Sequence, residues 1–267
     1  MRSRIDPEAK HELFDAFAAV GKAVSSGRRI EILDILANGE RSVDGVAREL
    51  ELSIANASQH LLILRQAGLV TSQRRGTSVI YRLASPAVFE FLGGLRGLAA
   101  ERIADVDRLA STYLGDRDDE PPVSRAELQR DLRRGDVVVL DVRPTEEYEA
   151  GHLPGAISAP LDELPRTIRR LPNDREIVVY CRGRFCAYSH VAVDMLRKRG
   201  YRARRLEDGL PEWRAQRLPV ERTDATAVPE TKVTAAVRAS APRTPMAPAK
   251  TAASKPPATK PASRQKR

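Results

Sequence analysis

The chain has 267 residues, of which 42% are hydrophobic and 4% aromatic. Because a domain takes roughly 100–200 residues, this length and composition predict one large domain or two small ones with mainly aliphatic cores. The sequence has no run of about 18 apolar residues, which excludes a membrane-spanning helix. Its first residues hold no apolar segment of the kind that a secretion signal needs, so we expect a cytoplasmic protein with no membrane partner.

The formal net charge of +9 is concentrated at one end of the chain. Residues 1–115 carry a net charge of +1, residues 116–221 carry none, and residues 222–267 carry +8. The basic segment consists mainly of Ala, Pro, Thr and Lys, and we predict that residues 223–267 form a disordered tail. Such a tail either holds DNA loosely or only keeps the chain in solution. A nucleic-acid function of the folded part must therefore depend on particular residues.

An acidic stretch with two prolines, residues 115–122, predicts a linker between two segments of different pattern. Before it, apolar residues recur at helical spacing in several short stretches, and two β-rich runs follow around Gly76. After it, strand-like and helical stretches alternate, which favours a mainly parallel α/β sheet. We expect a mainly α-helical domain at residues 8–110 and an α/β domain at residues 122–221.

Two short helices followed by a hairpin in the first segment are typical of a winged helix-turn-helix. The two helices meet at residues 51–52. Four apolar residues of the second helix are predicted to pack inward: Ile54, Ala57, Leu61 and Leu64. The opposite face is predicted to hold Ala55, Asn56, Gln59 and Ile63, with Ser58 and His60 on its flanks. A three-helix domain with no nucleic-acid role is the alternative.

The side chains on that outward face are suited to reading DNA. Small and amide side chains near a helix N-terminus fit the major groove, where Asn and Gln pair with adenine. Arginines on the hairpin can contact phosphates or the minor groove. We therefore predict seven DNA-contacting residues: Ser53, Asn56, Ser58, Gln59, His60, Arg74 and Arg75.

Two stretches of the first segment resemble the ArsR/SmtB family of bacterial repressors. They are LSIANASQHLLILRQAGLV at residues 52–70 and RRGTSVIYRL at residues 74–83. The resemblance implies a homodimer, paired through its first and last helices, that binds a palindromic operator in double-stranded DNA. Many family members bind a metal through cysteines in the helix before the recognition helix, but the matching residues 41–46 hold no cysteine. His11 and His60 do not form a ligand set, so we predict no metal site and no other cofactor.

Cys181 lies between a predicted strand, residues 177–180, and a predicted helix that begins at Ala187. A loop at a helix N-terminus offers backbone N–H groups and the positive end of the helix dipole, which lower a cysteine pKa and bind anions. Arg182 and Arg184 add positive charge. Since two cysteines are too few for a disulfide framework, the loop predicts a nucleophilic thiolate in an anion-binding cradle. A buried, unreactive cysteine is the alternative.

Three separated motifs in the second segment resemble the rhodanese family. They are LDVRPTEEYEAGHLPGA at residues 140–156, VYCRGRFC at residues 179–186, and GLPEW with LPVE at residues 209–213 and 218–221. The resemblance implies that Cys181 takes a sulfane sulfur as a persulfide and passes it to a thiol or cyanide. It also implies that four matching positions mainly hold the fold: Asp141, Arg143, His152 and Trp213.

The predicted active-site loop departs from the common rhodanese form. With the cysteine counted first, that form has Gly fourth and Arg sixth, whereas here Gly183 is third and Cys186 is sixth. The missing Arg argues against ordinary thiosulfate transfer, and Cys186 is a candidate resolving thiol. We predict substrate contacts from the residues between the cysteines: Arg182, Gly183, Arg184 and Phe185. His190 is predicted to pack against the loop or lie on the surface rather than act as a base.

The order of the two segments resembles known fusions of an ArsR-type repressor with a rhodanese module. It favours a DNA-binding transcriptional repressor whose rhodanese-like domain senses sulfur species or transfers sulfur from a small donor to a thiol acceptor. The alternative is a sulfurtransferase that the first domain dimerises or carries to DNA. A third hypothesis, an inactive interaction module, is disfavoured because Cys181 is present.

Overall fold

The computed structural model describes residues 6–115 and 120–223. The first of these ranges is mainly helical and includes one small antiparallel sheet, with strands in the order β1-β3-β2. Its elements in chain order are α1 Pro7–Ala23, α2 Gly27–Asn38, β1 Arg41–Ser42, α3 Val43–Glu49, α4 Ile54–Gln66, β2 Val70–Arg75, β3 Ser78–Leu83, α5 Pro86–Arg102 and α6 Asp105–Leu114. The predicted disordered tail lies, apart from Thr223, outside the described residues.

Local sequence signals fix where helices α3 and α4 begin. The Ser42 hydroxyl accepts the Gly45 N–H at 3.0 Å, and the Ser53 hydroxyl accepts the Asn56 N–H at 3.2 Å. Each serine satisfies a backbone donor that the first helical turn leaves open, so α3 and α4 begin directly after it. Gly76 has a φ of +61° and turns the chain between β2 and β3, which confirms the predicted hairpin.

The predicted inward face of α4 is correct at three positions and wrong at one. Ala57, Leu61 and Leu64 are fully buried, in a core that α2, α3 and α5 share. Ile54, by contrast, is 58% exposed, because a side chain in the first turn of a helix points back beyond the elements that cover the later turns. Ile63, predicted to face outward, packs half-buried against the core.

The second described range forms an α/β unit around a four-stranded parallel sheet, ordered β5-β4-β6-β7. Its elements are α7 Arg125–Arg134, β4 Val137–Asp141, α8 Thr145–Ala150, β5 Ile157–Ser158, α9 Leu164–Thr167, β6 Glu176–Tyr180, α10 Ala187–Arg197, β7 Ala203–Arg205 and α11 Leu210–Ala215. The sequence predicts strands at residues 137–141, 177–180 and 202–206, and these correspond to β4, β6 and β7 with bounds that differ by at most one residue. The predicted fold class of this segment is confirmed.

The central strands of this sheet are buried on both faces, as continuous apolar runs in parallel sheets usually are. Side chains from the two faces enter two separate cores, one that includes residues of α10 and one that includes residues of α7 and α11. Because β4 and β6 are parallel neighbours, Asp141 and Cys181 both lie at the carboxyl ends of these strands, on the same side of the domain. No helix within residues 6–115 or 120–223 is both long and apolar enough to cross a membrane.

Candidate functional site

Helix α4 presents a polar surface to solvent over its first two turns. Its exposed residues there include four of those predicted to contact DNA: Ser53, Asn56, Ser58 and Gln59. His60 lies half-buried on the flank of this surface. The buried face of the helix packs on the core, so the polar face is held outward by the same contacts that stabilise the domain.

The two arginines predicted to contact DNA lie at the tip of the hairpin and are exposed. Arg74 donates from Nε to the Gly76 carbonyl oxygen at 3.2 Å. The Arg75 Nη1 atom is 2.7 Å from a carboxylate oxygen of Glu40, and more than a third of each side chain is exposed. An exposed ion pair contributes about 0–1 kcal/mol, so a DNA phosphate can readily compete with Glu40 for Arg75.

The two cysteines lie at opposite ends of the loop between β6 and α10, and their sulfurs are joined in a disulfide. Cys181 is 2% exposed and belongs to the core on the α10 side of the sheet. Cys186 is half-buried, caps the N-terminus of α10, and donates its backbone N–H to the Gly183 carbonyl at 3.0 Å. The residue proposed as nucleophile is therefore the more buried of the two.

The motif that precedes α11 shapes this loop. A Cβ at Gly209 would collide with the backbone of Arg182 and Gly183, so the loop and the start of α11 pack together without a side chain between them. Gly183 has a φ of +150°, and a Cβ there would lie 3.2 Å from a carboxylate oxygen of Glu212. Glu212 accepts the Gly209 N–H at 2.9 Å, and burial raises the pKa of its carboxyl group.

The rhodanese-motif residues implied to hold the fold lie in buried hydrogen-bond networks. Arg143 is fully buried and binds both oxygens of Asp141, at 2.9 Å from Nε and 2.5 Å from Nη2. The Tyr180 hydroxyl also donates to Asp141. Two further hydrogen bonds, both 2.8 Å long, join ring nitrogens to backbone carbonyls: His152 to Tyr148 and Trp213 to Pro219.

Four charged side chains form a closed ring between the two domains, which we call the interdomain ring: Arg41, Glu49, Glu147 and Arg182. Glu147 is fully buried and lies 2.5 Å from both Arg41 and Arg182. Glu49, the last residue of α3, forms an ion pair with Arg182 and lies 3.7 Å from Arg41. Each arginine thus contacts one carboxylate from each domain.

Because Glu147 is buried, the stability of the interdomain ring depends on contact between the two domains. A buried carboxylate is unfavourable unless cations compensate it, and one of the cations beside Glu147 is Arg41 from the DNA-binding domain. Burial opposes the charged form of Arg182, but its hydrogen bond to Glu147 and the charges of Glu147 and Glu49 outweigh this and raise its pKa. Asn38, fully buried at the end of α2, donates to the Arg182 carbonyl at 3.4 Å.

The loop and the first domain also line a cavity of about 850 Å³. All four residues predicted to contact substrate line it: Arg182, Gly183, Arg184 and Phe185. Cys186 and His190 line it as well, and His190 is 6% exposed, in agreement with a packing role. The opposite wall comes from α5 and α6, including Arg96 and Gly97.

Sequence reasoning missed four residues of the first domain that lie near the loop. Asn38 and Glu49 contact Arg182, Arg41 contacts Glu147, and Arg96 lines the cavity. They lie far from the loop in sequence, and no local pattern marks a carboxylate that pairs with a distant arginine. Glu147 could have been found, since it stands within the first rhodanese motif and is a charged residue in a buried segment. In the described part of the chain, no group of three or more His, Cys, Asp or Glu side chains could hold a metal ion.

Each half of the chain matches the model of a known protein family. Residues 26–72 match the model of the bacterial regulatory protein, arsR family, and residues 124–216 match that of the rhodanese-like domain. Over 214 residues the chain is 43% identical to HTH-type transcriptional regulator Rv0324 of Mycobacterium tuberculosis (strain ATCC 25618 / H37Rv). That alignment covers 80% of this chain and 94% of the relative.

Two further relatives each match one domain. A sulfurtransferase of Allochromatium vinosum is 34% identical over 86 residues, which are 32% of this chain and 78% of that protein. A solved homodimeric winged helix-turn-helix DNA-binding domain (fragment 1–100) from Mycobacterium bovis is 38% identical, with a TM-score of 0.36, over 39% of this chain and 94% of that one. Since the mycobacterial alignment spans both domains, the chain belongs to the ArsR family of bacterial transcriptional regulators and carries a rhodanese-like domain after its winged helix-turn-helix.

Proposed function

We propose that this regulator binds a palindromic operator as a homodimer and that sulfur chemistry at Cys181 and Cys186 alters that binding. The proposal places the DNA-binding domain at residues 8–110, the sulfur-handling domain at residues 122–221, and the action on DNA in the cytoplasm. The observation that carries the link is the ion pair between Arg182, the neighbour of Cys181, and Glu49 at the end of α3. A change in the loop therefore has a direct contact through which to act on the DNA-binding domain.

Base reading is assigned to the exposed start of α4. Asn56, Ser58 and Gln59 enter the major groove, and Ser53 and His60 contact its edges. Arg74 and Arg75 contact phosphates from the hairpin. The exposure of the polar face of α4 and of both arginines supports these roles.

Dimerisation is assigned to the first and last helices of the DNA-binding domain. Large apolar side chains at least half exposed are concentrated on α1 and along α5 and α6: Leu13, Phe14, Phe17, Leu98, Ile103, Leu109 and Tyr113. Exposed apolar side chains gathered on neighbouring helices mark protein–protein interfaces. A second copy of this chain is the partner that family membership favours.

The sulfur step begins when the Cys181 thiolate attacks a sulfane sulfur of an inorganic polysulfide. A persulfide forms on Cys181, and the shortened polysulfide leaves as an anion. The Cys186 thiolate then attacks the inner sulfur of Cys181, and the outer sulfur leaves as hydrosulfide. Two thiolates are oxidised to the disulfide, and one sulfane sulfur is reduced to sulfide. The second attack is favoured because both cysteines belong to one short loop.

Bond formation between the two cysteines bears directly on the interdomain ring. Arg182 lies within the segment that the disulfide closes, and its side chain reaches Glu49 and Glu147. Helix α3 packs against α4, the helix assigned to base reading. We infer that the dithiol and disulfide forms hold Glu49 differently and bind the operator with different affinity.

The test is operator affinity in defined sulfur states. An operator is selected from random duplex DNA with wild-type protein, and its Kd is measured by fluorescence anisotropy before and after treatment with sodium tetrasulfide. We expect the Kd to change by about tenfold or more in wild type, which is about 1.4 kcal/mol, and to stay constant in Cys181→Ser. If mass spectrometry shows fully modified cysteines while the wild-type Kd is unchanged, the sensor role is wrong. If Cys186→Ser responds like wild type, Cys186 is not the resolving thiol.

A sulfurtransferase that the first domain dimerises or carries to DNA is the second candidate. The cavity beside the loop, which Cys186 and the four predicted substrate-contacting residues line, favours it. Multiple turnover of sulfur from tetrasulfide to a thiol, together with an unchanged operator Kd, would support this role over the sensor. Turnover that stops after one equivalent would support the sensor.

A further inference from the structure

The cavity beside the active-site loop reaches only one of the two cysteines. Cys186 lines the cavity, whereas Cys181 is 2% exposed and is not part of its lining. A molecule that enters from solvent through the cavity therefore reaches Cys186 before Cys181. The wall facing it belongs to the DNA-binding domain, so that domain shapes what can approach the disulfide.

We propose that this cavity binds a low-molecular-weight thiol that carries both carboxylate and ammonium groups, and that the thiol opens the disulfide by attack at Cys186. The inference rests on the proposed function, in which it is the step that resets the disulfide form. In this proposal the cavity is the binding site of the thiol reductant, and residues of α5 and α6 form part of that site.

The size of the cavity favours a small organic molecule over an inorganic anion. Sites for such molecules are typically about 300–1,000 Å³, and this cavity has a volume of about 850 Å³. A thiosulfate ion would leave most of that volume empty.

The charges around the cavity favour a ligand that carries both signs. Arg96 on α5 and Arg184 on the loop provide positive charge, and Asp107 on α6 and Glu207 provide negative charge. Arg96 already pairs at 2.7 Å with Asp34, which also lines the cavity, so a ligand carboxylate must share it. Phe185, 37% exposed, adds an apolar surface beside Cys186. Carboxylates of a ligand suit the arginines, its ammonium group suits the acidic residues, and the thiol is left to approach the sulfur.

The exchange is balanced in two steps. The ligand thiol loses its proton to solvent, and its thiolate attacks the Cys186 sulfur. The bond to Cys181 breaks, so a mixed disulfide forms on Cys186 and Cys181 leaves as a thiolate. A second ligand thiolate attacks the ligand sulfur of that mixed disulfide, which releases a ligand disulfide and the Cys186 thiolate. Two ligand thiols are oxidised and one protein disulfide is reduced.

The test uses glycines of α5 as matched positions in the full chain. Gly97 lines the cavity and Gly94 does not, and a Cβ added at either position would meet no atom within 4 Å. The disulfide form of wild type, Gly97→Leu and Gly94→Leu is mixed with glutathione, which carries carboxylates and an ammonium group. Reduction is followed by alkylation and mass spectrometry.

We expect reduction of wild type to saturate with glutathione concentration and the trapped mixed disulfide to lie on Cys186. Gly97→Leu should lower the apparent second-order rate constant by about tenfold, because the side chain occupies the space the thiol needs, while Gly94→Leu should leave it unchanged. Ala110→Leu, which fills the cavity from α6, gives a second filling variant in case Gly97→Leu fails to fold. Cysteamine and 3-mercaptopropionate, each with one sign of charge, should saturate more weakly than glutathione.

A rate linear in glutathione and equal in all variants would overturn the proposal, as would a mixed disulfide on Cys181. Equal saturation by the singly charged thiols would overturn the assignment of ligand charge. Because this experiment measures opening of the disulfide and not DNA binding, its failure is distinct from failure of the sensor role. If the operator Kd responds to tetrasulfide but the rate of reduction does not saturate with glutathione, the cavity proposal is wrong and the sensor role is unaffected.

Discussion

Arg182, the residue after Cys181, forms an ion pair with Glu49, the last residue of α3, across the boundary between the two domains. The same guanidinium binds the buried carboxylate of Glu147, from its own domain, through two nitrogens at 3.0 and 2.5 Å. Glu147 keeps Arg182 in place, while Glu49 forms its ion pairs with Arg182 and Arg41. Removal of the Glu49 carboxylate should therefore make operator binding independent of the sulfur chemistry at the loop, without unfolding the rhodanese-like domain.

We expect Glu49→Gln to abolish the effect of tetrasulfide on operator binding. The amide keeps the size of the side chain but has no charge to pair with Arg182, so loop movement no longer reaches α3. The ratio of operator Kd values with and without tetrasulfide should fall from about tenfold to near one. Glu51→Gln, the same change two residues further at an exposed position, is the control and should respond like wild type. A full response in Glu49→Gln would show that the coupling follows another route.

The contribution of α4 to base recognition is tested by its two exposed glutamines. Gln59→Ala should cost about 1–3 kcal/mol in discrimination at one base pair of each half-site, because an amide that pairs with adenine has been removed. Gln66→Ala, at the exposed C-terminal end of the same helix, should leave the preferred sequence unchanged. Base discrimination by the two variants is measured by competition between operator duplexes that differ at single base pairs. Equal discrimination by Gln59→Ala and wild type would contradict the base-reading assignment.

Local signals in the sequence were enough for much of the fold. Helical spacing of apolar residues predicted α3 and α4, Gly76 predicted the hairpin, and apolar runs predicted β4 and β6. In these cases the contacts that determine the element join residues close together in sequence or on one face of the element. A short stretch of sequence is therefore enough to predict it.

The errors and omissions have a different physical origin. Ile54 was assigned to the core from periodicity alone, although the end of a helix can extend past the elements that cover it. The interdomain ring and the cavity are formed by residues that lie far apart in sequence, and no periodicity in the sequence indicates which of these residues meet. For this reason the thiol pair was predicted from its motif, while the residues that connect it to the DNA-binding domain were not.

The hairpin arginine is expected to bind phosphate rather than base edges. Arg75→Ala should weaken binding to all DNA sequences alike and lower the slope of log K against log salt by about 1, since one counterion fewer is released. Glu40, which forms an ion pair with Arg75, provides a test in the opposite direction. Glu40→Gln frees Arg75 from an exposed ion pair and should strengthen non-specific binding at low salt. A loss of discrimination at one base pair in Arg75→Ala would assign it to base reading instead.

The buried pair of Arg143 and Asp141 should be a major contribution to stability of the sulfur-handling domain. Arg143→Met leaves the buried Asp141 carboxylate without its bidentate partner and should lower the free energy of unfolding by about 3–5 kcal/mol. Arg130→Met, at a half-exposed surface pair, should cost no more than about 1 kcal/mol. Urea unfolding is followed by the fluorescence of Trp213, the only tryptophan in the sequence, which is buried in this domain. Similar midpoints for both variants would mean that the pair contributes little.

The homodimer is expected to depend on the apolar surface of α1. Phe17 is 62% exposed and its ring packs edge-on with that of Phe14, so both rings are available to a second copy of the chain. Phe17→Asp places a charge in this surface and should raise the dimer dissociation constant by about tenfold or more, since buried aromatic residues dominate interface energies. Sedimentation equilibrium should then show a monomer at concentrations where wild type is a dimer, and operator binding should weaken because each half-site is bound separately. Val79→Asp, which adds the same charge at an exposed apolar position on β3, is the control and should remain dimeric. A dimeric Phe17→Asp would place the interface elsewhere, and the same measurement on Tyr113→Asp would then test α6 by itself.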